Sequence, residues 1–469
     1  MNGSATVVWF RRDLRLHDHP ALTDAALGGR PVAALFVVDP RLLRGRFASA
    51  NRAWFLAGAL ADLAASLAER GASLTVRTGD PSTVVPAFAR EVGAGAVAVS
   101  RDYTPFGRTR DRRVADALAT AGISFGAKRG VLVHEPEEIA TGSGSPFQVF
   151  TPFLRTWERR AFRTVLPAPD RIVGIDRAAG PPDLGALAGT VPTADRALLP
   201  PPGERAARDR LARWLATGPT NYARERDSLA TRGTSRLSQD LRFGCLSPVE
   251  VATHSLATDG GTEGSRRYVS ELAWRDFYAH ALWHEPRIAR EPFATRYRTL
   301  VWPEPAPEAV AAWRTGRTGY PIVDAAMRQL AATGWMPNRA RMIAASFLVK
   351  DLLVDWRVGE AHFMVHLVDG DPASNLGGWQ WAASVGTDAQ PYVRVFNPVT
   401  QGRRFDPDGA YVRRWVPELA HVPTERVHEP WTMDDGEQRA AGCRIGTDYP
   451  APIVDHPEAR RRAIEFFRA

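Results

Sequence analysis

Thr6-Val7-Val8-Trp9-Phe10-Arg11-Arg12-Asp13-Leu14-Arg15 is a β-branched and aromatic run that breaks abruptly into charge. The first five residues suit a strand buried on both faces, and the charged residues mark its carboxyl end. Working outward, the pattern repeats. Pro31–Val38, Ser73–Arg77 and Ala96–Ser100 read as further buried strands, and Ile123–Ala127 as a fifth. Between them, Asn51–Arg70, Ser82–Val92 and Arg108–Ala121 carry apolar residues at helical spacing. This alternation predicts a doubly wound parallel sheet. No G-x-G-x-x-G follows the first strand, which weighs against a dinucleotide-binding Rossmann fold. Ligand crevices in such sheets lie beyond the carboxyl ends of the strands. Arg11–Arg15 sits at one such end, and Asp102-Tyr103-Thr104-Pro105-Phe106-Gly107-Arg108-Thr109-Arg110-Asp111 at another.

Residues 1–134 therefore form an α/β domain. Residues 135–203 read as a connector, with Thr141–Pro146, Gly180-Pro-Pro-Asp183 and Pro200–Gly203 rich in glycine and proline, and one short helix near Pro152–Phe162. From 204 to 469 helical periodicity takes over, clearest in Gly319–Arg328 and Asn338–Val354. The chain has 469 residues, 44% of them hydrophobic, enough for two cores. No apolar run of about 18 residues exists to cross a bilayer, and no secretory signal opens the chain. Cys245 and Cys443 are the only cysteines, giving neither a disulfide framework nor a cysteine-rich metal site. The expectation is a cytoplasmic, metal-free protein. Its net charge of +8 comes almost wholly from arginine, whose planar donor fork suits phosphate. A mildly basic background accounts for that charge equally well. The 14 Trp outnumber the 9 Tyr, and only Trp9, Trp54 and Trp157 precede residue 200, so the halves differ chemically.

Four constellations in the second half suggest a ligand. Asp369-Gly370-Asp371-Pro-Ala-Ser-Asn375-Leu-Gly377-Gly378-Trp379-Gln-Trp381 gathers carboxylates, an amide and two indoles around a Gly-Gly pair. That mixture is costly to pack unless a ligand receives it, although a loop packing two Trp into a core is the plain alternative. Gly233-Thr234-Ser235-Arg236-Leu237-Ser238 offers hydroxyls and an arginine that suit a phosphate, or simply a helix cap. Tyr222 and Arg226 are spaced to share a helical surface beside it. Glu271, Trp274, Arg275 and Tyr278 fall on one helical face, which fits a pocket wall or a surface ion pair beside half-buried aromatics. Asn338, Arg341 and Met342 share another face, with Arg339 elsewhere and Asp369 a partner for Arg341. Trp302, Trp356 and Trp379 are candidates for an electron-transfer chain, or ordinary core residues.

Together these blocks, from Val7–Arg15 to His428-Glu-Pro430, resemble the photolyase/cryptochrome flavoprotein family, specifically the class I cyclobutane pyrimidine dimer photolyases. The resemblance implies an α/β antenna domain, a long linker and an all-helical domain that binds FAD. It implies that Tyr222, Thr234, Ser235, Arg236, Leu237, Ser238, Glu271, Arg341, Asp369, Gly370, Asp371 and Asn375 surround the FAD, with Asn375 favouring its reduced anionic form. Glu271, Trp274, Asn338, Met342 and Trp381 match the lesion pocket, the two indoles clamping the dimer. Trp379, Trp356 and Trp302 match the photoreduction chain. Arg226, Trp274, Arg275, Tyr278, Asn338, Arg339, Arg394, Gln401 and Arg404 match or neighbour DNA-contacting positions.

The implied activity is light-driven repair of pyrimidine dimers in UV-damaged DNA by a monomer. The implied antenna chromophore is 8-hydroxy-5-deazaflavin at Phe36, Arg52 and Asp102; methenyltetrahydrofolate or no antenna are the alternatives. Pro337 departs from the histidine usual before Asn338 in class I, and its absence disfavours a (6-4) activity. The competing readings are a cryptochrome-type photoreceptor and a light-independent FAD electron-transfer or nucleic-acid-binding protein.

Overall fold

Five strands, β1 (Ala5–Phe10), β2 (Val32–Val38), β3 (Leu74–Thr78), β4 (Ala94–Ser100) and β5 (Ser124–Lys128), form one parallel sheet in the order β3-β2-β1-β4-β5. The computed structural model describes residues 4–45, 47–175, 184–185, 187, 191–388 and 393–468. Alternation along the strands fills two cores. Val8 and Phe10 of β1, with Ala34 and Phe36 of β2, meet Phe55, Leu60 and Leu63 of helix Ala50–Ala68. Val7, Trp9, Leu35 and Val97 face the other way, toward Val85 and Phe88 of helix Pro81–Glu91 and Val114 and Leu118 of helix Pro105–Thr120. Each helix begins where the sequence supplies a cap: Ser49, Asp80 and Thr104 accept backbone N–H groups of the first turn. The expected strands and helices are thus present, shifted by one to three residues at their ends.

The strand order reverses between β1 and β4, the position where such sheets bind ligands. Here that crevice receives the helical half of the chain. Arg12, just past β1, ion-pairs with Asp371. Gly244 (φ 69) lets the chain after β1 approach closely, since a side chain there would meet the Arg12 carbonyl at 2.0 Å.

The connector is packed along much of its length. The Phe147 N–H donates to His280 Nε2 (3.1 Å), and His280 Nδ1 lies 3.1 Å from the Pro136 carbonyl. Its helix spans Phe150–Arg159 and buries Trp157 completely, with Nε1 donating to Asp276 at 3.0 Å. Gly180–Asp183 lies outside the described residues.

Helix Glu263–His284 is the axis of the helical half, packed against helices Glu204–Glu225, Pro248–Ala257 and Pro372–Ala382. One expectation changes here. The helix beginning at Asn338 ends at Ser346 and gives way to a π-helical turn, Phe347–Asp351, so it does not reach Val354. The wider turn places buried Lys350 so that its ammonium donates to Ser384 Oγ (2.9 Å) and the Ala383 carbonyl (3.3 Å). Pro337 sits at the N-cap, before the first helical residue, where its missing N–H costs nothing. Among the described residues no helix is long and apolar enough to cross a membrane, and no His, Cys, Asp and Glu cluster suits a metal ion.

Candidate functional site

A cavity of about 350 Å³ opens in the helical half, within the range of small-molecule sites. Its main walls are the Thr234–Ser238 loop, one face of helix Glu263–His284, the start of helix Asn338–Ser346, and Asp369–Trp379, with Tyr222, Arg242 and Phe363 between them. The i, i+3, i+4, i+7 spacing held, for Glu271, Trp274, Arg275 and Tyr278 all line it. So do Asn338, Arg341 and Met342, and every residue from which cofactor contacts were expected.

One wall is built to meet an anion. Tyr268 donates its hydroxyl to Ser235 Oγ (3.0 Å), and Trp335 Nε1 donates to Ser238 Oγ (3.1 Å). Arg236 adopts a positive φ of 54° and lays its guanidinium 4.3 Å from the Trp335 ring centre. Gln239 fixes that turn by donating to the Arg236 carbonyl (2.6 Å). The hydroxyl and arginine cluster read from the sequence is therefore one organised surface.

The opposite wall carries two carboxylates with different duties. Arg341 donates to Asp369 Oδ2 at 2.7 Å, the pairing expected from sequence. Asp369 Oδ1 is buried with no hydrogen-bond partner among the described residues. A buried carboxylate oxygen left without a donor is expensive, so the site fits a ligand that brings an N–H there. Asp371 caps helix Pro372–Ala382, accepting from the N–H groups of Ala373 and Ser374 at 3.0 Å. Burial alone would raise its carboxyl, yet Arg12, Arg242 and Arg275 override this and hold it well below the usual carboxylate range. Arg242 donates to the Gly370 carbonyl (2.8 Å), and burial, with Arg12 adding repulsion, lowers its guanidinium to about 9.

Asn375 donates its amide to the Glu360 carbonyl (3.1 Å) and carboxylate (3.2 Å), which turns its oxygen into the group able to accept from a ligand. The Gly-Gly pair divides its work. A side chain at Gly378 would enter open space in the cavity, whereas one at Gly377 would strike the Tyr278 ring at 2.1 Å. Only Gly378 clears room for a flat ligand.

The sequence matches two family models, "DNA photolyase" over residues 6–170 and "FAD binding domain of DNA photolyase" over residues 268–469. A deoxyribodipyrimidine photo-lyase of Streptomyces griseus is 42% identical, covering 98% of both chains. The crystal structure of a class III photolyase from Agrobacterium tumefaciens superposes with a TM-score of 0.94 at 36% identity, covering 100% of this chain and 98% of that one. A cryptochrome from Synechocystis superposes at 0.91 and 29% identity, over 98% and 99%. The chain belongs to the DNA photolyase family. Its helical half is the FAD-binding domain, and the unpartnered Asp369 oxygen, the open ground at Gly378 and the hydroxyl wall fit that cofactor.

Photolyase-family residues outside the cofactor set fall into place unevenly. Trp381 leaves the main cavity and lines a small adjoining pocket with Ser384, Arg394 and Phe396; Met342 borders both. It shares a helix with Trp379, but two residues of helix rotation turn it to another side. Three arginines expected on the DNA surface have other partners. Arg226 ion-pairs with Glu271, Arg339 with Asp227 (3.0 Å), and Arg275 donates to the Val131 carbonyl (2.6 Å). Burial pushes the Glu271 carboxyl up, and Arg226 offsets this only in part. Tyr278 is a cavity-wall residue packed on Gly377. Asn338, Arg394 and Arg404 are exposed, and Gln401 is half-buried beside them in sequence.

Trp379 lines the cavity with Phe363 (4.9 Å) and Trp313 (6.1 Å) as ring neighbours. Trp356 opens helix Trp356–His366, which packs on the helix bearing Trp379, while Trp302 rests on Phe466 and Phe467. The three antenna candidates do not line the flavin cavity. Phe36 lies in the sheet core, Arg52 donates to the carbonyls of Met364 and Leu367, and Asp102 pairs with Arg110 at 3.2 Å.

Sequence reading missed Arg242, Tyr268, Trp335 and Glu360, and it placed Arg12 at a strand-end crevice without its partner Asp371. Arg12 and Arg242 are distant in sequence from everything they serve. Tyr268 precedes Glu271 by one helical step and was the one findable from spacing.

Proposed function

We propose that the chain repairs cyclobutane pyrimidine dimers in DNA under light. The observation that carries this reading is that one cavity holds the cofactor set together with four of the five lesion-pocket residues. Glu271, Trp274, Asn338 and Met342 open into the space bounded by Asp369, Asn375 and the Thr234–Ser238 loop. The chemistry FAD supplies when bound is light-driven transfer of one electron to the dimer and its recovery after the ring opens. The protein's own part is placement and electrostatics. Trp274 offers a flat apolar wall, Asn338 a donor and acceptor, and Glu271 a carboxyl that burial raises and Arg226 partly offsets. Asn375 presents an amide oxygen rather than a second carboxylate, which suits a reduced flavin.

Photolyases are known to act on a nucleotide turned out of the duplex, and a crosslinked dimer, poorly stacked and paired, is cheap to extrude. Exposed Arg394 and Arg404 would hold the backbone without reading sequence. Pro337 places no imidazole beside Asn338, in keeping with dimer rather than (6-4) repair. The cryptochrome reading shares the fold, so fold does not separate the two; Glu271, Asn338 and Asn375 together favour repair. A deazaflavin antenna at Phe36, Arg52 and Asp102 would have to share Arg52 with two backbone carbonyls and Asp102 with Arg110. The absorption spectrum of the purified holoprotein tests that assignment. For repair itself, the measurement is loss of thymine dimers from irradiated DNA in light against dark. Undiminished dimers with fully reduced flavin would overturn the proposal.

A further inference from the structure

Trp274 has one face that the cavity does not see. Phe150 covers it, with ring centres 3.7 Å apart and planes 11° from parallel. Nearly eclipsed stacking is not the arrangement aromatic pairs choose when free, so surrounding structure must hold these rings. The holding contacts are specific. Phe150 N–H donates to Asp388 Oδ1 (3.0 Å), and Asp388 N–H donates to the Gln148 carbonyl (3.0 Å), a reciprocal tie. Asp388 adopts φ 54°, the left-handed region that Asp tolerates better than most side chains. Phe277 meets the Phe150 ring edge-on at 5.7 Å. His280, on the helix that bears Trp274, accepts the Phe147 N–H. The tie thus runs from the backing of Trp274 to the segment following Trp381.

We propose that Phe150 is a positioning residue for lesion recognition: it fixes the plane of the Trp274 indole so that its other face stays presented to the pyrimidine dimer. The inference rests on Trp274 being a lesion-facing wall. It gives the connector between the two domains a part in substrate selectivity. The ring is needed for stiffness as well as area, because an aliphatic side chain would let the indole tilt about its χ2.

The test is dark binding of the FAD-loaded protein to an oligonucleotide carrying one thymine dimer and to its undamaged twin. Phe150→Leu should weaken lesion binding roughly five- to tenfold, the size of a lost aromatic pair, while undamaged-DNA binding and FAD content stay unchanged. Phe150→Tyr, which keeps the ring, should restore lesion binding. Asp388→Ala should shift it in the same direction as F150L, and carries the test if F150L does not fold. Wild-type lesion affinity in F150L and D388A would overturn the proposal. So would parallel loss of FAD and of binding to both oligonucleotides. Trp274→Ala separates the two layers. If W274A keeps full lesion affinity, the reading of Trp274 falls and this proposal with it; if W274A loses affinity and F150L does not, only the role of Phe150 falls.

Discussion

Arg12, at the end of the first strand, ion-pairs with Asp371, the residue that caps the helix bearing Asn375 and Trp379. The α/β domain therefore supplies a counter-charge to the flavin site's own frame. Arg12→Gln should cost about 3 kcal/mol, the lower end for breaking a buried pair, since Arg242 and Arg275 remain nearby. The pH dependence follows from the folded-state shifts. Asp371 and Asp102 are both held below their ordinary value of 3.8, so their stabilisation is complete above about that pH and is lost as pH falls below it. R12Q has less of this stabilisation to begin with, so flavin should be released at higher pH than in the wild type on acid titration. Identical titrations would show that Arg12 does not support Asp371.

Glu271→Ala should lower the repair yield while FAD stays bound, because the carboxyl faces the lesion end of the cavity. It also removes the nearer of two carboxylate partners of Arg226, leaving Asp227 at 3.9 Å, so a fall in stability of about 1 kcal/mol should accompany it. Glu271→Gln keeps a hydrogen-bonding group and should recover much of the yield. Equal repair in E271A and wild type, measured as dimers split per photon absorbed, contradicts the role.

Asn375→Asp would bring a second carboxylate onto Glu360, where the amide now donates. One of the two acids must then take up a proton or move away. The reduced anionic flavin, itself negative, should be disfavoured, and its midpoint potential should shift to more negative values in a redox titration. An unchanged potential would mean that residue 375 does not set the flavin's charge state.

Trp356→Phe should abolish or greatly slow photoreduction of the oxidised flavin while chemically reduced protein repairs as well as wild type. Flavin absorbance under blue light gives the first quantity and dimer loss gives the second. Lost repair in the reduced variant would undo this division of labour.

Arg394→Ala and Arg404→Ala should each weaken DNA binding by similar factors on damaged and undamaged duplex. Each should reduce the slope of log affinity against log salt by about 0.9, one phosphate contact apiece. A loss confined to damaged DNA would point to lesion contact instead.

Much of this was legible in one dimension because its physical causes are local. The five strands follow from short runs of β-branched and aromatic residues, and their helices from apolar spacing and side-chain caps. The cavity face of helix Glu263–His284 follows from the 3.6-residue turn. The residues that the resemblance assigns to the cofactor all line one cavity. Trp381 does not line it, because its position in the motif says nothing of the side to which the helix turns it. The partners of the arginines were hidden for a related reason: their charge is visible in sequence, but its pairing with Asp227, Glu271 or the Val131 carbonyl is not.

Composition and order by themselves determined a parallel α/β sheet, a helical partner domain and the polar and aromatic residue types of a ligand site; the resemblance named the ligand. Tertiary structure alone decided that the carboxyl end of β1 docks on Asp371, that Asp369 keeps one oxygen without a partner, and that Phe150 stacks behind Trp274. The Arg12–Asp371 contact joins residues 359 positions apart, and the Phe150–Trp274 stack joins the connector to the helical half. Periodicity reaches only a few residues along the chain, and pairings at such separations are settled by how whole elements pack.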